Sequence, residues 1–490
     1  MSRTRLVTAA LALPVGAGAA ALPLGAVLAF TGQGGRGLAT LVVGGLVCLL
    51  GGFVLTALVS PGGGRPAAVA GACLGAASAV AWGLLCVGDT VTQEWAVPQD
   101  RVAGSSALGS WQDGEVVVRV RPEEVTAYRL ADGTPAWTWQ PPRQDVVCAM
   151  SRRTGARTGL LGHAPEGGTC GSVAALDLAT GHTRWTQPVT APEGQVLEGV
   201  LEHRLPRPGL VTVAGDLAVL PHGTGWRAHG LADGRERWTA PGHPGCRPGL
   251  ADGSATTVVT VSDCGRDTAP VLRALAAATG AERLRARLPA TGYPRHAAVL
   301  ATAPLTVWIH EQERRGTHAV LVYDAEGEVT TTIPTLGQDH EVAILPGGTS
   351  HGFPAFAARP VRSAAVVGDV LVASGVRDGD RRWTSGNNGR PYIDTRGRLV
   401  GYSLTDGRHL WTTELDDEVE VVTEHDGRVW TAAMDRLART APQTGALEEE
   451  LTTPGVQTYA PADLWIAGGG RYVVVHEQTG DRRPAVQLLR

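Results

Sequence analysis

Lysine is absent from the 490 residues, and asparagine occurs only at Asn387 and Asn388. Every basic position is therefore arginine, as a high-GC coding bias would produce, and arginine content by itself says nothing here about phosphate recognition. Acidic residues are missing from 1–88, where the only charges are Arg3, Arg5, Arg36 and Arg65. Beyond residue 88 the balance reverses, with 39 arginines against 47 acids. An acidic body without a basic stripe excludes a nucleic-acid partner. It would also be weakly repelled by an anionic membrane surface.

Three uncharged or nearly uncharged stretches fill the start of the chain, at about 6–30, 38–60 and 66–88. Each is near or above the roughly 20 residues that a helix needs to cross hydrocarbon. A segment in lipid must satisfy its own backbone hydrogen bonds, so all three are predicted to be transmembrane α-helices. Pro14 and Pro23 would kink the first, for which a cleaved signal peptide is the rival reading. Arg3 and Arg5 favour a cytoplasmic amino terminus, and three crossings then carry everything after Asp89 outside. Gly44-Gly45, Gly51-Gly52 and "GACLG" (71–75) give the second and third spans small faces, suited to packing on one another or to dimerisation.

Beyond the apolar spans the chain is repetitive. It reads "AYRLADGTPAW" (127–137), "ALDLATGHTRW" (175–185), "AHGLADGRERW" (228–238) and "ALAAATGAERL" (274–284). Weaker copies are "LVYDAEGEVTT" (321–331), "GYSLTDGRHLW" (401–411), "RTAPQTGALEE" (439–449) and "VHEQTGDRRP" (475–484). The repeated turn glycines are Gly133, Gly181, Gly234, Gly280, Gly327, Gly407, Gly445 and Gly480. Before each glycine lies a strand-like alternation, and the glycine can take the left-handed conformation that reverses the chain. A second strand comes after it, carrying Trp137, Trp185, Trp238 or Trp411. Two more β-like runs precede each turn, such as "EVVVRV" (115–120) and "TTVVTV" (257–262). Four strands per unit describe a propeller blade.

The spacing resembles the pyrroloquinoline-quinone (PQQ) type of propeller repeat found in bacterial proteins, A-x-D-x-x-T-G-x-x-x-W. Ala127, Ala175, Ala228 and Ala274 match its first position, with Gly401 as a small substitute, while the aspartate matches only at Asp177. The resemblance covers about 95–490. It implies an eight-bladed propeller in which each tryptophan docks between its own blade's alanine and a neighbouring blade. It is poor for function, because most such propellers work without the quinone.

The fold class expected is thus all-β, an eight-bladed propeller of four-stranded antiparallel blades preceded by three transmembrane α-helices. The domains are a membrane anchor (1–88), a linker (89–101) and the propeller (102–490). Gly327 and Gly407 are 80 residues apart, an interval read as one blade with two inserted loops, about 336–360 and 377–398. Gly379 and Trp383 sit at repeat spacing inside the second, but a ninth blade would leave too few residues for four strands.

Candidate chemistry is sparse. Cys48, Cys73 and Cys86 lie in the apolar spans as small apolar residues. Cys148, Cys170, Cys246 and Cys264 lie in the propeller, one of each pair early in a first strand and the other at or after the end of the second. Antiparallel pairing predicts Cys148–Cys170 and Cys246–Cys264 disulfides, consistent with an oxidising exterior. No CxxC supports a metal site, and the histidines show no metal-ligand spacing. His340 and His351 share the first inserted loop, where the plain reading is solvation. "RDGDRR" (377–382) lacks the remaining ligands of a calcium loop, and "ALEEE" (446–450) reads as a solvated outer strand. The alcohol-oxidising quinoproteins carry adjacent cysteines, which this chain lacks, and both asparagines sit in an inserted loop.

No catalytic, cofactor-binding or metal-binding residue is therefore assigned, and no cofactor is expected. The reading is a multi-pass protein of the cytoplasmic membrane whose propeller, outside the cytoplasm, is a scaffold for an envelope protein. A sensor or binding protein for a small molecule or polysaccharide in the propeller channel is the alternative, and a PQQ-dependent dehydrogenase the lesser one.

Overall fold

The computed structural model describes residues 90–99, 107–166, 168, 170–189, 210–265, 268–290, 295–311, 315–336, 340–342, 344, 362–377, 382–385, 391–394, 397–415, 419–433, 436–453, 461–477 and 484–490. The three apolar spans, with Cys48, Cys73 and Cys86, lie outside the described residues. Among those residues, no helix is long and apolar enough to cross a membrane. Two compact units are distinguished, a small one comprising 1–92, 435–437 and 450–457, and a large one comprising the remainder. Within the small unit, Thr90 forms a parallel bridge with Thr452, and Val91 N–H donates to the Thr452 carbonyl at 2.9 Å.

The strands form eight antiparallel blades. Blade 1 is Gly109–Asp113, Val116–Val120, Val125–Arg129 and Pro135–Trp139, hydrogen-bonded in chain order. Blades 2 to 5 repeat this plan over 146–188, 212–240, 247–287 and 295–334, blade 6 over 364–414 and blade 7 over 421–452. Blade 8 takes three strands from the carboxyl end, Pro461–Ile466, Tyr472–His476 and Val486–Leu489. Its fourth is Gln93–Val97, paired with Val486–Leu489.

One expectation needs correction. Residues 89–101 are not simply a linker, since 93–97 are the outer strand of the last blade. Gly480 lies outside the described residues, between the second and third strands of blade 8. The tryptophan missing from that copy is Trp95, some 380 residues upstream in sequence. A search for local repeats cannot see a blade whose strands come from opposite ends of the chain.

The other seven glycines are as expected. Gly133, Gly181, Gly234, Gly280, Gly327, Gly407 and Gly445 all have φ between 67° and 90°. The residue before the glycine also has a local job. Asp132, Asp233 and Asp406 accept, through Oδ1, the amide two residues on, at 2.9–3.2 Å. Thr180, Thr279 and Thr444 do the same through Oγ1, each at 3.3 Å. Short polar side chains that cap their own turn explain why only such residues precede most of the glycines.

Each tryptophan couples its blade to the next. Trp137, Trp185, Trp238 and Trp411 donate Nε1–H to the carbonyls of Leu178, Leu231, Ala277 and Pro442, three residues before the next blade's turn glycine. Trp95 does likewise to Leu130 at 3.1 Å. The indoles lie so close to the glycines that a Cβ at Gly133, Gly181, Gly234, Gly280 or Gly445 would fall 2.5–2.8 Å from ring atoms. Glycine is thus required twice, for its φ and for the ring above it. Within each blade the indole sits opposite the small column: Ala127 pairs with Trp137, Ala175 with Trp185, Ala228 with Trp238 and Gly401 with Trp411. Blade 4 has Leu284 opposite Ala274. In blade 5, Thr331 Oγ1 donates to the Thr405 carbonyl, replacing the indole N–H one residue along.

Both predicted disulfides are present, Cys148–Cys170 with Cα atoms 5.9 Å apart and Cys246–Cys264 at 4.1 Å. Each ties the beginning of a first strand to the segment after the second.

Candidate functional site

Antiparallel blades sort their connections onto two faces. First-to-second and third-to-fourth turns emerge on one face, which therefore carries the repeat glycines. Second-to-third loops and the links between blades emerge on the other. Insertion 336–360 links blades 5 and 6, and insertion 377–398 joins the second and third strands of blade 6. Both consequently leave from the same face, and the two disulfides lie toward it. The first insertion belongs to the junction between blades rather than to the interior of blade 6.

The described parts of the insertions contain regular structure. His340–Val342 pairs with Gly375–Arg377, where the second strand of blade 6 runs past its partners, and Val342 and Ile344 are buried against Trp308 and its neighbours. Arg382–Ser385 and Pro391–Asp394 form a separate two-stranded hairpin. Loops held by a rigid framework are where binding concentrates.

The inner strands surround a cavity of about 560 Å³, the propeller channel. Ser110, Arg152, Arg153, Arg362, Glu424 and Asp463 give it its polar lining. Arg152 and Arg153 follow the first strand of blade 2. Arg152 donates to Asp252 Oδ2 of blade 4 and to the Val299 carbonyl of blade 5, both at 3.3 Å. Asp252 is buried and also accepts the Gly253 amide at 2.8 Å, so the pair fastens three blades rather than offering a free charge. On the other side, Ser110 Oγ donates to Asp463 Oδ2 at 2.6 Å and receives the Trp465 indole N–H at 2.8 Å. Arg362 donates to Glu477 at 3.2 Å.

Burial pushes the Asp463 carboxyl above the usual carboxylate range, while the Arg362 charge and the Ser110 hydrogen bonds oppose that shift and Glu477 adds to it. A carboxyl whose folded-state value is raised holds more protons folded than unfolded, so its contribution to stability falls as pH climbs through that window. Asp463→Asn, which keeps an acceptor for Ser110, is expected to gain stability relative to the native chain as pH rises from about 4 toward neutrality, and to hold that gain above. Melting curves against pH check this. A difference independent of pH would place the carboxyl at its ordinary value.

These channel residues carry no sequence signature. "SRR" (151–153) is visible as a charged turn, but nothing local aims it at an axis. Among the described residues, no group of three or more metal-ligating side chains is assembled. The one motif aspartate, Asp177, serves its own turn. Burial opposes its ionisation but is outweighed by Arg184 and the amides of Ala179 and Thr180, so its carboxyl lies below the usual range.

Residues 63–203 match the family described as outer membrane protein assembly factor BamB. No curated protein matches the sequence. Among solved structures, BamB from Moraxella catarrhalis is similar at 13% identity and TM-score 0.44, with 82% of this chain and 100% of that one covered. The quinohemoprotein alcohol dehydrogenase of Comamonas testosteroni is similar at 14% identity and TM-score 0.48, covering 82% and 75%. Sqt1 of Saccharomyces cerevisiae is similar at 11% and 0.45, covering 82% and 98%. Over residues 63–203 this chain is similar to the BamB family, and its fold is that of an eight-bladed β-propeller.

Proposed function

We propose that this chain is a membrane-anchored propeller, outside the cytoplasm, that serves as a scaffold for an envelope protein and works without bound quinone or catalytic chemistry. The carrying observation is the convergence of both insertions on one face of a ring whose blades are interlocked by tryptophans. A rigid ring fixes the strand ends from which those segments leave, which limits the ordering cost of binding a protein. The similarity to the BamB family over 63–203 supports a protein partner. The acid-free stretches of 1–88 support the anchor. Two disulfides support an oxidising compartment.

Cross-linking of the full-length protein in its own membranes, followed by mass spectrometry, tests the reading. A reproducible envelope protein joined through 336–398 is the expected result. Deleting 377–398 should lower the yield of that species by about tenfold or more, the loss of a central contact patch, with a melting temperature little changed. Among the described residues the hairpin 382–394 pairs only with itself, and the deletion takes from blade 6 only the end pairs Arg377 with His340 and Arg398 with Glu414, so the ladder of 370–374 with 399–403 survives.

A second reading, a small molecule or polysaccharide in the channel, is favoured by the polar cavity of about 560 Å³. It predicts that the deletion is neutral and that substitutions at Ser110 and Arg153 matter instead.

A further inference from the structure

The channel cavity is polarised from side to side. Among the described residues, blades 3 and 4 give it no lining residue. Arg152 and Arg153 of blade 2 stand on that side instead, drawn across by Asp252 of blade 4. Arg152 is committed to the Asp252 carboxylate and the Val299 carbonyl. Arg153 is half exposed, and its one polar contact among the described residues is Asp252 at 4.0 Å. Most of its five N–H donors therefore remain for a ligand.

The opposite wall comes from blades 7 and 8, with Glu424 and Asp463 as its carboxyls. Asp463 is taken up by Ser110, and the neighbouring Arg362 by Glu477. Glu424 is exposed; one of its oxygens accepts the Gly427 amide at 2.9 Å, which leaves the other to a ligand. Met150, Leu300, Val366, Leu464 and Trp465 complete the lining with apolar surface. The cavity also opens on a definite face. Arg152, Arg153, Ala303 and Gly368 belong to the first-to-second turns of blades 2, 5 and 6, which emerge beside the repeat glycines. The insertions leave from the other face.

We propose that this cavity binds a free oligopeptide of about three residues, its carboxylate against Arg153 and its ammonium against Glu424. The inference rests on the reading of the channel as a ligand site and is independent of a scaffold on the opposite face. An anion alone would satisfy Arg153 and be repelled by Glu424, and a cation alone would do the reverse. A neutral sugar would strip water from both charges and return no counter-charge to either. A ligand with one charge at each end meets both. A single amino acid carries its two charges on one carbon, too close together to address opposite walls. Three extended residues set their ends about 10 Å apart. The volume of about 560 Å³ lies in the ordinary range of small-molecule sites, and the apolar lining receives the peptide's side chains.

Full-length protein, solubilised, is dialysed to equilibrium against a mixture of tripeptides with free termini and, separately, against maltotriose, and the retained species are identified by mass spectrometry. Tripeptides are expected to be retained. Calorimetry then compares the best-retained tripeptide with its N-acetyl and carboxamide forms. Each block should weaken binding to the native chain by about tenfold or more, the loss of one charge-assisted contact. Glu424→Gln, which keeps the oxygen on Gly427, should bind the free and acetylated forms equally. Arg153→Gln should bind the free and amidated forms equally. Glu326→Gln, on an exposed turn of blade 5, should bind as the native chain does. Deleting 377–398 should leave peptide affinity unchanged. Equal binding of free and blocked peptides by the native chain overturns the pairing, and it does so even if a variant melts early. Retention of maltotriose without any tripeptide overturns the peptide and leaves the channel a ligand site. Retention of neither overturns both.

Discussion

Trp95→Ala is expected to lower stability by about 2–4 kcal/mol, somewhat below what a fully buried tryptophan loses on truncation. Trp95 lies on a short strand near the start of the propeller, yet two things depend on its ring. It packs on Gly133, where a Cβ would fall 2.6 Å from the indole. Its N–H also satisfies the Leu130 carbonyl. Truncation leaves a gap over a glycine that cannot fill it, in a ladder of only four residue pairs. Trp95→Phe should retain most of the packing and lose about 1 kcal/mol with the hydrogen bond. Glu94→Ala, on the same strand but exposed, should stay within about 0.5 kcal/mol of the native chain. Chemical denaturation with matched limited proteolysis measures all three. If Trp95→Ala melts with the native protein, strand 93–97 is not what closes the ring.

The disulfides define the second large effect. Replacing both Cys148 and Cys170 with serine is expected to cost about 3 kcal/mol, and Cys246 with Cys264 a similar amount, in the chain-entropy account of loops this size. Their sequence separations are 22 and 18 residues. Cys170 is also part of the apolar contact between blades 2 and 3, so serine there loses packing as well. Reductant should bring the native protein's melting temperature down to that of the serine variants and leave the doubly substituted chains unmoved. Free thiols titrating at these four positions before reduction would overturn the pairing.

These two sites mark the boundary of what the sequence makes legible. The cysteines could be paired because the ends of each bond lie on or just beside adjacent strands of one blade, within reach of a local strand count. The seven turn glycines were legible for the same reason. Trp95 was not, because its partner glycine is in the next blade of the ring but its own blade was begun at the far end of the chain. Arg152, Asp252, Arg362 and Asp463 were illegible for another reason. Their meeting depends on where eight separate first strands point, and no spacing along the chain encodes that.

The closing strand also orders events in time. During synthesis Gln93–Val97 is the first strand of the propeller to emerge, and its partner Val486–Leu489 is the last. About four hundred residues must be made between them, a very long loop to close and a slow kind of contact to form. Until then the growing array has an unpaired edge at each end, the form of strand that most readily joins a wrong neighbour. The tryptophans already set between finished blades keep the partial ring in one curvature, so that the two edges face each other when the final residues arrive.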